Sequence, residues 1–172
     1  MSELEDLPPL LAGLHRLPFP FAGGDGYDYI PFDRFMPPDD VQEWLALWTG
    51  NADADGRQFL PFAKDGSGGL AAFWRHEPAA GIDSMPIVLL GSEGERGVVA
   101  ASLKDYVWLL ASGLGPMEAV LDLSPAADEY AAPIRDYAGA ECPNAERPAE
   151  EILRDAAERF PDFSDVIDAM CR

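Results

Sequence analysis

Two cysteines, two histidines and twelve lysines and arginines are all that 172 positions offer of those types, and each shortage closes off a class of function. Cys142 and Cys171 belong to no CxxC pair, so no disulfide framework is written into the chain, and a reducing, cytoplasmic setting is expected. His15 and His76 stand far apart, without an HExxH, Ser-His-Asp or Cys-His pattern around either, and no cofactor is expected. No stretch approaches the ~18 uncharged apolar residues of a membrane span, and Met1-Ser2-Glu3-Leu4-Glu5-Asp6 is acidic where a secretion leader is basic.

Positive charge is the deepest shortage. Twelve bases face 31 acids, for a net charge of −19. Such a field repels nucleic acid and anionic lipid, and it draws in a basic protein and speeds the encounter. The charge is also unevenly placed. Residues 1–55 carry −9, residues 56–115 only −1 and residues 116–172 again −9, so a near-neutral centre lies between two acidic flanks.

What is present suits one folded unit. The length is that of a single domain, and a hydrophobic fraction of 48% fills one continuous core. The 16 prolines and 16 glycines sit singly or in short clusters and punctuate the chain. Pro18-Phe19-Pro20-Phe21 and Ala22-Gly23-Gly24-Asp25-Gly26 predict an irregular aromatic arm over residues 1–37, with one short helix near 9–15. Pro37-Pro38-Asp39-Asp40 opens a helix that Gly50 stops, and Val41, Trp44, Leu45 and Trp48 form its buried stripe. Residues 58–63 and 70–75 read as a hairpin around Lys64-Asp65-Gly66-Ser67-Gly68-Gly69, and residues 85–90 and 98–101 as a second one. Ser102 caps a further helix, with Asp105 as an acidic variant of the capping box and Leu103, Tyr106, Val107, Leu110 and Leu114 as its apolar stripe. Short helices from Met117 and around 126–137, then a pair from Pro148 and Phe163, complete the chain. Hairpins without helical crossovers define the α+β class: a mainly antiparallel sheet of four to six strands flanked by helices, with extra C-terminal helices.

Candidate sites compete with ordinary turn chemistry. Asn51-Ala52-Asp53-Ala54-Asp55-Gly56 matches the first half of a calcium loop, but its twelfth position is Phe62 where a bidentate acid is needed, so no metal is expected. Asp65 sits in an Asp-Gly turn, and Glu93 and Glu95 flank Gly94 in another. The tryptophans fall on apolar stripes, except that Trp74 stands near a strand end beside Arg75 and His76. Asp53, Asp55, Asp65, Trp74, Glu93 and Glu95 are therefore the expected partner contacts, with no catalytic residue among them.

The central block carries a resemblance. Trp44-Leu45-Ala46-Leu47-Trp48-Thr49-Gly50-Asn51, then Phe59-Leu60-Pro61-Phe62-Ala63-Lys64-Asp65-Gly66-Ser67-Gly68-Gly69, then Pro86-Ile87-Val88-Leu89-Leu90 and Val98-Val99-Ala100-Ala101-Ser102-Leu103-Lys104-Asp105-Tyr106 follow one another in order. This succession resembles the SUKH superfamily, which includes many bacterial immunity proteins and a fungal cell-wall regulator. It spans about residues 38–114; residues 1–37 and 116–172 lie outside it. The resemblance implies a helix-flanked sheet that neutralises a co-encoded toxin, often a nuclease, by binding it. A basic protein toxin is accordingly the expected partner. The alternatives are a regulatory scaffold, or an enzyme or small-ligand protein using some of the carboxylates.

Overall fold

The computed structural model describes residues 6–77 and 79–172; Pro78 and the acidic start at residues 1–5 lie outside the described residues. Its elements run α1 (Pro9–Leu14), β1 (Ile30–Pro31), α2 (Pro38–Thr49), β2 (Phe59–Lys64), β3 (Leu70–Trp74), β4 (Ile87–Leu90), β5 (Arg96–Ala100), α3 (Leu103–Ala111), α4 (Pro116–Val120), α5 (Asp128–Glu141), α6 (Ala149–Arg159) and α7 (Phe163–Met170). The five strands form one antiparallel meander in the order β1-β2-β3-β4-β5. The α+β class, the helix-flanked sheet and the extra C-terminal helices are thus as the sequence implies; the two-residue β1 comes in addition.

Both faces of the sheet are dry at strands β3 and β4. Leu70 to Trp74 are all buried, and so are Ile87 to Leu90. Alternation sends Ala72, Trp74, Val88 and Leu90 into one cluster with Leu45 of α2 and Phe163, Ile167 and Met170 of α7. Ala71, Phe73 and Ile87 enter the opposite cluster with Leu11 and Leu14 of α1, the aromatic arm and α3. Helix α5 packs on α3, and α6 runs along β5 and α3. The C-terminal helices therefore complete the core begun by the central strands.

Helix α3 corrects one expectation. It is buried on nearly every side, Trp108 and Leu109 included, because sheet, α1, α5 and α6 surround it. Ser102 caps it as expected, its Oγ accepting from the Asp105 N–H at 3.3 Å. The Asp105 carboxylate does not close a capping box; it accepts from Arg147, which also donates to Asp155 at 3.1 Å. The α2 stripe is correct for Val41 and Leu45, whereas Trp44 and Trp48 are half-buried and stacked, their ring centroids 5.4 Å apart.

The end of α2 fastens α7 down. Gly50 has φ 68°, a left-handed value that glycine adopts without strain, and the Asn51 side chain then donates to Met170 O at 2.8 Å. The Arg172 N–H returns to Thr49 O at 3.0 Å. Asn51→Ala should cost about 1–2 kcal/mol, because Met170 O and the Asp53 N–H lose a partner. Denaturant unfolding will measure the loss, and hydrogen exchange should rise first in residues 163–170.

Candidate functional site

The hairpin turns meet at one end of the sheet. The register Leu70 with Leu90 aligns the β2–β3 turn with the β4–β5 turn, and Ser92 Oγ lies 2.9 Å from Ser67 Oγ. Asp65 is the hub of its turn: one carboxylate oxygen accepts from Ser67 N–H (2.9 Å), Ser67 O–H (2.6 Å) and Gly69 N–H (3.0 Å). Its other oxygen is buried without a partner and lies against Gly69, where an added Cβ would come within 2.5 Å of it. Glu95 turns back on its own loop, one carboxylate oxygen accepting from the Glu93 N–H at 2.9 Å, and leaves Glu93 exposed.

The other expected contacts lie elsewhere. Asp53 and Asp55 belong to the connection that doubles back beside α2, held by the Gln42 side chain, and ends at the start of β2. Asn51 spends its side chain on Asp53 N–H and Met170 O, and Asp55 spends its own on Arg57, whose cationic hydrogen bonds hold the Asp55 carboxyl below its ordinary value. Asp53 is exposed. Trp74 pairs with Phe59 at the far end of β3 from Asp65 and is buried. The six residues therefore divide between the two ends of the sheet, and burial removes Asp65 and Trp74 from any broad contact surface.

Trp74 does reach a cleft. A space of about 370 Å³ is lined by Trp74, His76, Glu77, Met85, Arg159 and Phe160 among others, the right scale for a small ligand or one large side chain. His76 meets the Trp74 ring edge-on at 4.7 Å and the Phe160 ring at 5.2 Å, with Asp162 3.6 Å from its Nε2. The Arg159 guanidinium stands 5.9 Å from the Phe160 ring. His15, by contrast, is a strut: its ring nitrogens pair with Phe32 O (2.8 Å) and Tyr29 Oη (2.7 Å), and burial holds its pKa below the ordinary value.

Sequence reasoning missed Glu118. Nothing marks it in Gly115-Pro116-Met117-Glu118, an unremarkable acidic first turn, yet it is the buried acid of α4. One oxygen accepts from the Asp28 N–H at 2.9 Å, while the other has no partner. Burial pushes the Glu118 carboxyl above its ordinary value, and the nearby charges of Asp28 and Asp65 push the same way.

Elsewhere the acids face outward. Only Asp65, Asp105 and Glu118 are buried among the described acids. Five acids meet an arginine: Asp55, Asp105, Asp128, Asp155 and Asp168, paired with Arg57, Arg147, Arg135, Arg147 and Arg159, and Arg96. The remaining exposed carboxylates project into solvent and present a strongly negative surface.

A raised value in the folded state means that Glu118 favours folding while protonated. Its cost is absent below the carboxylate's unfolded value and grows as pH rises through the folded one. Glu118→Gln keeps an oxygen for the Asp28 N–H and should raise the melting midpoint at pH 7 by about 2–4 °C, the shift that ~1 kcal/mol gives a domain of this size. In thermal scans the gain should disappear toward pH 4.

Comparison with known proteins returns no match among family models, curated proteins or solved structures.

Proposed function

We propose that this chain is a non-enzymatic, immunity-type protein that binds a basic protein toxin, a nuclease by preference, and neutralises it by occlusion. The observation that carries the reading is the outward array of carboxylates, most of which meet no internal cation. A net charge of −19 exceeds the magnitude of about 2–8 that keeps a small domain soluble. A nuclease grips phosphates with lysines and arginines, so it offers the complementary surface. The SUKH resemblance of residues 38–114 points to the same class of partner.

The cleft beside Trp74 favours a second reading, a small-ligand site that uses the Phe160 ring and the Arg159 cation. An aromatic carboxylate would then change tryptophan fluorescence, and Arg159→Ala would abolish the change.

Titration with a catalytically dead basic nuclease domain encoded beside this gene tests the first reading. Affinity should fall tenfold or more between about 50 mM and about 500 mM salt, because exposed charge pairs are screened over about 10 Å at 0.1 M. Affinity that does not move with salt would exclude an electrostatic partner.

A further inference from the structure

Exposed large hydrophobic side chains are few among the described residues, and three of the five fall in two segments that are hydrogen-bonded to each other: Phe21 (57% exposed), Leu121 (42%) and Leu123 (49%). The two segments make one corner. Phe21 opens the tight turn of residues 21–26, closed by the Gly24 and Gly26 N–H groups on Phe21 O. Leu121 and Leu123 leave the end of α4, with the Leu123 N–H on Glu118 O at 2.9 Å. The Ala127 N–H bonds Asp25 O at 2.8 Å and the Asp28 N–H bonds Glu118, so the two segments are laced together.

Backbone strain falls at the same place. The only non-glycine residues with positive φ among those described are Ala22 at 52° and Asp122 at 53°. Each is adjacent to the exposed side chains, and a left-handed conformation costs such a residue about 1–2 kcal/mol. Acids accompany them in the same segments: Asp25, Asp122 and Glu129 are exposed, as is Asp128, which pairs with Arg135. Glu129 and Asp25 stand close enough to Tyr130 to push its phenol upward, the Glu129 charge being the larger cause.

We infer that this corner, Phe21, Leu121 and Leu123 within an acidic rim, is the docking face for the basic partner, which it meets with an amphipathic segment carrying apolar residues between lysines or arginines. An apolar centre with a charged rim is the usual anatomy of a protein contact, and the rim here selects a cationic counterpart. The inference rests on the electrostatic reading above and centres its contact on residues 21–26 and 121–130, beside the β2–β3 turn, whose Gly66 N–H bonds the Asp28 carboxylate at 2.7 Å.

Two probes separate them: a synthetic amphipathic helix of leucine and lysine, and an all-lysine peptide of equal charge, each titrated into the full chain by calorimetry with amide shifts mapped by NMR. The leucine–lysine helix should bind about tenfold more tightly than the all-lysine peptide, a difference of about 1.4 kcal/mol, with shifts centred on residues 21–26 and 121–130. The double change Leu121→Ser and Leu123→Ser should erase that difference with the melting midpoint unchanged, whereas Leu47→Ser, at an exposed leucine on α2, should leave it intact. Shifts centred on α2 or the hairpin turns, or equal losses from Leu47→Ser, would overturn the docking face while leaving the electrostatic reading standing. Binding of neither peptide would remove that reading first. A concentration-dependent dimer broken by the double change would assign the corner to a second copy and overturn the inference.

Discussion

A sheet that is apolar on both faces must be covered twice, and this requirement organises the chain. Strand β3 has no exposed residue, so leaving either of its faces wet would forfeit roughly 25 cal/mol for each Å² of apolar surface. One cover is local: α3 follows β5 directly and packs with α1 and α5. The other needs α2 from between β1 and β2 and α7 from the far end of the chain, joined where Asn51 reaches Met170 and Arg172 reaches Thr49. The last helix is consequently structural, and the segment after residue 115 is part of the same core as the central strands.

That arrangement explains what the sequence could and could not disclose. Hairpins, caps and helix stops are local chemistry, so Gly50, the Asp65 turn and the Ser102 cap were readable from neighbouring residues. Two-strand pairing with only Ile30 and Pro31 carries no periodicity, and β1 stayed invisible for that reason. Burial on all sides of α3 depends on partners far along the chain, as when Trp108 donates to Cys142 O, 34 residues on, and Leu110 O accepts from Tyr27, 83 residues back, and a stripe of apolar spacing understates it. The candidate site was less legible than the fold. Asp65 and Glu93 share a neighbourhood only because two turns align, while Asp53, Asp55 and Trp74 fall elsewhere, and Glu118 becomes unusual only once Asp28 closes over it.

Charge is distributed by the same logic. Four of the paired arginines, Arg96, Arg135, Arg147 and Arg159, serve the C-terminal helices; Arg147 ties α3 to α6 through Asp105 and Asp155, in addition to their packing. The Arg147 hydrogen bond keeps the Asp155 carboxyl below its ordinary value, as expected of a joint that must stay ionised. Arg147 and Arg96 thus join separate elements, whereas Arg135 and Arg159 pair with acids of their own helices and most acids meet water. Mutual repulsion among the outer carboxylates opposes compactness, and the doubly covered sheet supplies the cohesion that tolerates it.

The corner formed by Phe21, Leu121 and Leu123 departs from this economy, since it combines exposed apolar area, positive φ at Ala22 and Asp122, and like-charged neighbours, each of them unfavourable in the isolated chain. Three penalties in neighbouring turns are hard to attribute to packing, because the core beneath is already closed by Tyr27 donating to Leu110 O at 2.6 Å. Such a corner becomes favourable when a surface with apolar groups and positive charge covers it, since contact dehydrates the leucines and neutralises the carboxylates together. The acidic flanks then act at two ranges: the field of the whole surface attracts, and the rim at this corner sets where the contact forms.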